Sequence, residues 1–312
     1  MKNYTYKGFL CSLMLVFVGF TTSLRAQNSL KLQYDKPAVN WNEALPIGNG
    51  RLGAMVFGQP DQEQIQLNEE TIWAGGPGNN VAKNAYDKIQ QIRRLLFEGK
   101  AKEAQDLSNA TFPRPAPTGI DYGMPYQTFG DLRISFPSHK QYTSYSRELD
   151  IQDAITRTRY KAGAVTYTRE VFASLKDDVI IVKLSADAKK SLSFSVGLTS
   201  PHDNTHITIE NKQLTLSGIS GSHEGKTGRI QFSGIVRPVL KGGTLIQKDN
   251  QLEITNADEV ILYISIGTNF KKYNDITGNA AAKALDILNK ATARKYEKAK
   301  ADHIQKYQQY FN

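Results

Sequence analysis

Cysteine is almost absent from this sequence: of 312 residues only Cys11 is one, and it sits close to the N-terminus. No intrachain disulfide is available, so a small disulfide-stapled scaffold is excluded and the chain must hold itself together by burying a core. Long apolar runs are missing too. The one concentrated run, "FLCSLMLVFVGF" from Phe9 to Phe20, is twelve residues long, well short of the roughly twenty that a membrane-spanning helix needs. There is no serine nucleophile elbow, phosphate loop or zinc-binding helix motif. Nor is there a basic face interleaved with stacking aromatics. Positive charge concentrates only near the end, in "KATARKYEKAKADHIQKYQQYF", which argues against a nucleic-acid partner.

What is present begins with an N-terminal targeting pattern. Lys2 and Lys7 precede the apolar run, and "TTSLRA" after it offers a cleavage point behind Ala26; residues 1–26 read as a secretory signal peptide, with a retained anchor as the alternative. Losing Lys2, Lys7 and Arg25 lowers the formal charge from +9 to +6 and leaves a mature chain with no cysteine. The expectation is a secreted protein of a bacterial periplasm or cell surface, with no membrane contact after cleavage.

From about Leu30 to Phe270 the text alternates with period two and breaks at turn residues every eight to twelve positions, the pattern of a β-sandwich. In "EVILYISIG" one face carries Val260, Leu262, Ile264 and Ile266, and the other Ile261, Tyr263 and Ser265. Candidates include "YQTFGDLRISF", "YTSYSRELDI", "AITRTRYKA", "AVTYTREVFA", "DVIIVKLSA", "SLSFSVGLT", "QLTLSG", "GRIQFSGIV" and "QLEITN". So many strands in sequence exceed a small immunoglobulin-like module and point to a large, mostly β fold with two antiparallel sheets. One helical insert, at about 81–110, carries Ile89, Ile92, Leu95 and Leu96 at three-and-four spacing before Gly99, with a second short helix after it. The Pro-rich text that follows reads as a loop. The expected organisation is a sandwich over 27–272 and a linker helix over 273–312. That helical text ends on Ile304, Tyr307 and Phe311 without a cap, and is expected to lead on to further chain that covers its apolar stripe.

The stretch "LPIGNGRLGAMVFG" has the G-x-G-x-x-G spacing of a dinucleotide site at Gly48, Gly50 and Gly53. A Rossmann unit needs a buried strand before the first glycine and a helix opening at the third. "NWNEALP" ahead of it is polar and proline-bearing, and the apolar text behind it alternates like a strand. The glycines are therefore assigned to a tight turn and close strand contact. No cofactor is expected.

These residues also carry a resemblance. "Y-x-x-P-A-x-x-W" at Tyr34, Pro37, Ala38 and Trp41, "PIGNGRLGAM" at 46–55 and "QLNEETIWAGGP" at 66–77 resemble the N-terminal domain of glycoside hydrolase family 95, and the "GDL" and "YSRELDI" strands resemble its next blocks. The resemblance covers roughly 30–312. It implies a β-sandwich joined by a helical linker to an (α/α)6 barrel holding the acid and base, hydrolysing α-L-fucosyl or α-L-galactosyl linkages with inversion. It implies no catalytic residue in this chain, a fucosylated oligosaccharide or plant or host glycan as substrate, and the barrel as packing partner. A non-catalytic carbohydrate-binding or structural sandwich is the other reading.

The acidic doublets Glu69/Glu70 and Asp177/Asp178 do not make an inverting pair, because strand neighbours point to opposite faces and the reaction needs two carboxyls facing each other about 6.5 to 9.5 Å apart. "PHDNTH", with His202, Asp203 and His206, has too few ligands for a metal and reads as a surface turn. The substrate-binding or domain-interface candidates are Arg51, Asn68, Glu70 and Trp73: an indole beside amide and carboxylate groups at a glycine-rich turn suits a sugar-contacting rim or an interface. A simpler arrangement has Trp73 in the core and Glu70 paired with Arg51.

Overall fold

The structure, a computed structural model, describes residues 30–77, 83–112 and 123–312. The segment read as a signal peptide and most of the Pro-rich text lie outside the described residues. Sixteen strands form two wholly antiparallel sheets among the described residues. In chain order they are β1 (Lys31–Tyr34), β2 (Leu45–Gly48), β3 (Leu52–Val56), β4 (Gln62–Glu69), β5 (Gly130–Ser135), β6 (Thr143–Asp150), β7 (Ile155–Ala162) and β8 (Val165–Ala173). There follow β9 (Ile180–Ala186), β10 (Leu192–Thr199), β11 (Thr205–Glu210), β12 (Gln213–Ile219), β13 (Gln231–Lys241), β14 (Thr244–Lys248), β15 (Gln251–Ala257) and β16 (Glu259–Thr268). One sheet has the order β1-β6-β7-β8-β9-β16-β13-β12-β11, the other β14-β15-β10-β5-β4-β3-β2. The expected mostly β, two-sheet sandwich is what the chain forms.

Period-two alternation places the core. The buried face of β4 carries Ile65 and Leu67, and the facing sheet contributes Val171, Val182, Leu262 and Ile264 to the same cluster. Strand β16 is covered on both faces, as its uninterrupted apolar text requires. Its even-numbered residues join the inter-sheet core, while Ile261 and Tyr263 join a second cluster on the outer face.

That second cluster is covered by helices, and here the linker expectation is corrected. The C-terminal text forms two helices, α3 (Ala280–Thr292) and α4 (Tyr296–Phe311), after the insert pair α1 (Ala85–Phe97) and α2 (Ala101–Thr111). The break falls at Ala293 to Lys295, where Lys295 turns extended and Arg294 bridges Asp177 and Asp302. Ala284, Leu288, Ala291, Tyr296 and Ala299 pack against Phe172, Ile181 and Tyr263, with Ile304 beside them. Of the stripe expected to be covered by further chain, Ile304 packs against the outer face of the chain's own nine-stranded sheet, while Phe311 is exposed. Gly267 permits the approach, since a Cβ there would lie 2.5 Å from the Ala280 carbonyl oxygen. No helix among the described residues is long and apolar enough to cross a membrane.

One charged contact in this architecture is buried and another half-buried. Arg169 of β8 reaches across the core to Glu63 of β4 and donates to the Gln59 and Pro60 carbonyls at 2.9 and 3.1 Å. Both side chains are almost wholly buried. Beside them, burial and the Arg169 charge hold His139 down at about 4, so a neutral ring meets the Tyr160 hydroxyl at 2.9 Å. On the outer face, Lys300 and Tyr296 of the C-terminal helices both reach Glu170, at 2.9 and 2.8 Å. Burial raises the Glu170 pKa, but hydrogen bonds from Lys300, Arg157 and Tyr296 outweigh it and bring it down to about 2.

Removing Glu63 leaves the Arg169 cation buried and unpaired, so Glu63→Ala is expected to cost about 3 to 5 kcal/mol, measured by urea unfolding. Because the folded Glu170 carboxyl titrates below its ordinary 4.5, the stability it contributes is full above that value and is lost as pH falls towards 2. Protection factors of the α4 amides, corrected for the intrinsic slowing of exchange in acid, should fall across that window, and Glu170→Gln should remove this part of the pH dependence.

Candidate functional site

Strand β4 ends at Glu69, and the chain turns through residues 70 to 77. The alternation separates the doublet as expected: Glu69 is fully buried and Glu70 exposed. The Glu69 carboxylate accepts from the Thr71 amide and hydroxyl at 2.8 and 2.6 Å and from Arg51 Nη1 at 3.3 Å. The Thr71 hydroxyl in turn lies 2.6 Å from that of Thr268 on the opposite sheet.

Arg51 sits at the tip of the β2–β3 hairpin, where Gly50 adopts φ +97° and Gly48 pairs with Gly53. A strand does precede Gly48, contrary to the sequence reading. It is an antiparallel edge strand, the position at which a proline such as Pro46 is tolerated, and no helix follows. The glycines serve turn and strand contact. From the tip, Arg51 donates to the Asp178 carboxylate at 2.7 Å, the Ile266 carbonyl at 2.7 Å and the Asp178 carbonyl at 3.2 Å. Its carboxylate partners are Glu69 and Asp178, so the Glu70 pairing is corrected: Glu70 projects to the other face, and only its backbone N–H meets the Arg51 carbonyl.

Above this clamp lies a cleft of about 720 Å³ at one end of the sandwich. The turn supplies Glu70, Trp73 and the glycine pair; Arg229 precedes β13; Phe270, Tyr273 and Asn274 follow β16. Gly75, at φ +62°, lets Met124 come close, since a Cβ would lie 2.6 Å from its sulfur. The turn is tied down by bonds from the Ala74 amide to the Pro125 carbonyl and from the Gly75 amide to that of Gly221, at 3.0 and 2.8 Å.

Trp73 is 45% exposed and so is not a core residue. Its indole N–H donates to the Glu70 carbonyl at 2.9 Å, and its ring meets Tyr126 edge-on at 5.5 Å. The Tyr126 hydroxyl reaches Asn68 Oδ1 and the Glu69 carbonyl, both at 3.2 Å. Burial, then the Glu69 charge, raises this phenol to about 12, so it stays a donor. The Glu70 carboxylate and Arg229 guanidinium are exposed and make no hydrogen bond or ion pair among the described residues. The site thus offers aromatic faces, one carboxylate, one guanidinium and an amide, which suits a hydroxyl-rich ligand or a polar partner surface.

Of the four residues proposed from sequence, Glu70 and Trp73 line the cleft, Asn68 lies behind Trp73 through Tyr126, and Arg51 stays outside the lining, joined to it through Glu69 and Thr71. In the sequence Arg229 and Tyr126 read only as the leading ends of candidate strands, and Tyr273 lies in a connection; the strands begin later, at Gln231 and Gly130, which leaves both side chains at the end of the sandwich. The other acidic doublet is spent internally, Asp177 on Ser174 and Arg294 and Asp178 on Arg51. His202 is held by the Thr128 carbonyl at 2.8 Å and packs on Phe232. No group of three or more His, Cys, Asp or Glu among the described residues is placed to hold a metal.

With this geometry in view, known proteins are informative. The family model for the glycosyl hydrolase family 65 N-terminal domain matches residues 32–273. An Arabidopsis thaliana protein named alpha-L-fucosidase 2 is 31% identical over 91% of this chain and 36% of its own length. An Aspergillus niger protein named probable alpha-fucosidase A is 26% identical over 86% of the chain and 35% of its own. The chain therefore spans little more than a third of these relatives. Among solved structures, a putative kojibiose phosphorylase from the human microbiome superposes with a TM-score of 0.51 at 9% identity, over 89% of this chain and 37% of that one, a likeness of fold.

Clamp and rim respond differently to substitution. Arg51→Ala leaves Glu69 buried without its cation and should cost about 3 kcal/mol or more. Trp73→Ala, at an exposed ring, should cost under about 1 kcal/mol. Thermal or urea unfolding of the two variants checks the contrast.

Proposed function

We propose a function from one premise: the chain belongs to the family of glycosyl hydrolase family 65 N-terminal domains. It is the N-terminal domain of a glycoside hydrolase of the fucosidase type. On our reading, that enzyme is exported and removes terminal α-L-fucosyl or α-L-galactosyl units with inversion. The extended similarity to proteins named as fucosidases carries this reading.

The part played by this domain follows from its carboxylates. Inversion requires an acid and a base across a gap that admits one sugar and one water. Glu70 is the one acid among the described residues lining the cleft, and the buried Glu69 that precedes it is held by Arg51. A carboxylate neutralised by an arginine and closed to solvent neither protonates a leaving group nor activates water. Acid and base are therefore assigned to the portion of the relatives' length that this chain does not span, and the cleft rim to the contact between sandwich, that portion and the glycan. Glu70, Asn274 and Arg229 offer hydrogen bonds, and Trp73 and Tyr273 offer apolar area.

The purified chain should show no turnover of an aryl α-L-fucoside. Turnover that persists through purification and is abolished by Glu70→Gln would overturn the assignment. In an enzyme of the relatives' full length, Trp73→Ala should alter KM or domain docking while leaving the pH profile of kcat unchanged.

A further inference from the structure

One feature of the sequence motif is not absorbed by the cleft. Trp41 lies outside it, on the outer face of the seven-stranded sheet, and is 54% exposed. Its indole N–H donates to Gln66 Oε1 at 3.0 Å, so the polar edge of the ring is turned inward and satisfied. The helical turn that carries it, Trp41–Glu43, is rigidly seated. Asn40 caps it, Arg147 donates to the Lys36 and Glu43 carbonyls at 2.7 Å each, and Ala38, Ala44, Phe57 and Met55 pack beneath it.

Two residues along β4, Asn68 receives the Tyr126 hydroxyl, and Tyr126, 41% exposed, leans on Trp73. Gln66 and Asn68 share the outer face of the strand and so lie about 7 Å apart, the scale of one pyranose ring. The charged pair on the neighbouring strand, Asp131 and Arg133, is satisfied internally at 2.8 Å.

We infer that Trp41, Tyr126 and Trp73 form an aromatic platform that binds a neutral oligosaccharide on the outer face of the seven-stranded sheet, continuous with the cleft at Trp73. The inference rests on the glycan-processing reading above. Fixed rings lose no rotamer freedom on binding. Apolar ring faces flanked by Gln66 and Asn68 amides match the C–H faces and hydroxyls of a sugar, whereas a protein partner would want a continuous apolar centre. No unpaired charge from Asp131 or Arg133 calls for an ionic ligand.

The chain has only two tryptophans, both in this platform, so its indole fluorescence reports on the platform and, through Trp73, on the adjoining cleft; Trp73→Ala isolates the signal of Trp41. Titration with lacto-N-fucopentaose I, a neutral pentasaccharide, should shift the emission saturably and release heat in calorimetry, while free L-fucose, spanning one ring, should do neither. Trp41→Ala should weaken binding about tenfold, the loss of one stacking contact, with an unchanged melting temperature. Trp41→Tyr, which keeps a ring, should retain most of the affinity. Absence of both signals at millimolar pentasaccharide overturns the platform, as does binding by Trp41→Ala and by Trp73→Ala as tight as that of the unsubstituted chain. So does an emission shift that follows protein concentration instead of sugar, which would mark a protein contact. Equal binding of maltohexaose supports the platform and counts against the fucose-directed reading, which hydrolysis by the longer enzyme tests separately.

Discussion

Strand β4 is pinned at both ends by a buried glutamate, and much of the molecule depends on that constraint. Glu63, near its start, is held by Arg169 from the facing sheet. Glu69, at its end, is held by Arg51, which also takes Asp178 and the Ile266 carbonyl from the facing sheet. The two lie six residues apart on one face, about 20 Å along the strand, with Ile65 and Leu67 between them. Ordinary hydrophobic contact between sheets is non-directional and tolerates sliding. A desolvated arginine with several fixed acceptors does not, because any shift leaves a buried charge without its partners. The two clamps thereby set the register of one sheet over the other.

That register places both candidate surfaces. Because Glu69 faces inward, Glu70 and the turn to Pro77 must emerge at the end of the sandwich, where the continuation of β16 brings Phe270 and Tyr273 against them. Because Ile65 and Leu67 face inward, Gln66 and Asn68 face outward and carry the partners of Trp41 and Tyr126. Cleft and platform are the two sides of one alternation, and they meet at Trp73. The nine-stranded sheet is different: its outer face is closed by α3 and α4, fastened through Glu170 and Asp177.

A good part of this was legible from the sequence. Period-two text located the central strands, and the two faces of "EVILYISIG" separate into the two clusters as read. The insert helices lie where Ile89 to Gly99 placed them, with Gly99 in the left-handed region as a stop. Short strands such as β14 and β11 went unread, since five or six residues with few apolar positions carry little periodicity. A single C-terminal helix was expected because nothing in "NKATARKYEK" forbids continuation; the break coincides with Arg294, which bridges Asp177 and Asp302.

The sequence by itself determined the class of fold, the tight turn at the glycines and the opposite facing of Glu69 and Glu70, since each follows from local periodicity and turn chemistry. Only the tertiary structure decided that Arg51 belongs to Glu69 and Asp178, that Arg229 and Tyr273 join Trp73, and that Trp41 stands over Gln66. Those contacts link residues 18 to 200 positions apart, and no local pattern encodes which distant partner a side chain will meet once two sheets close on each other.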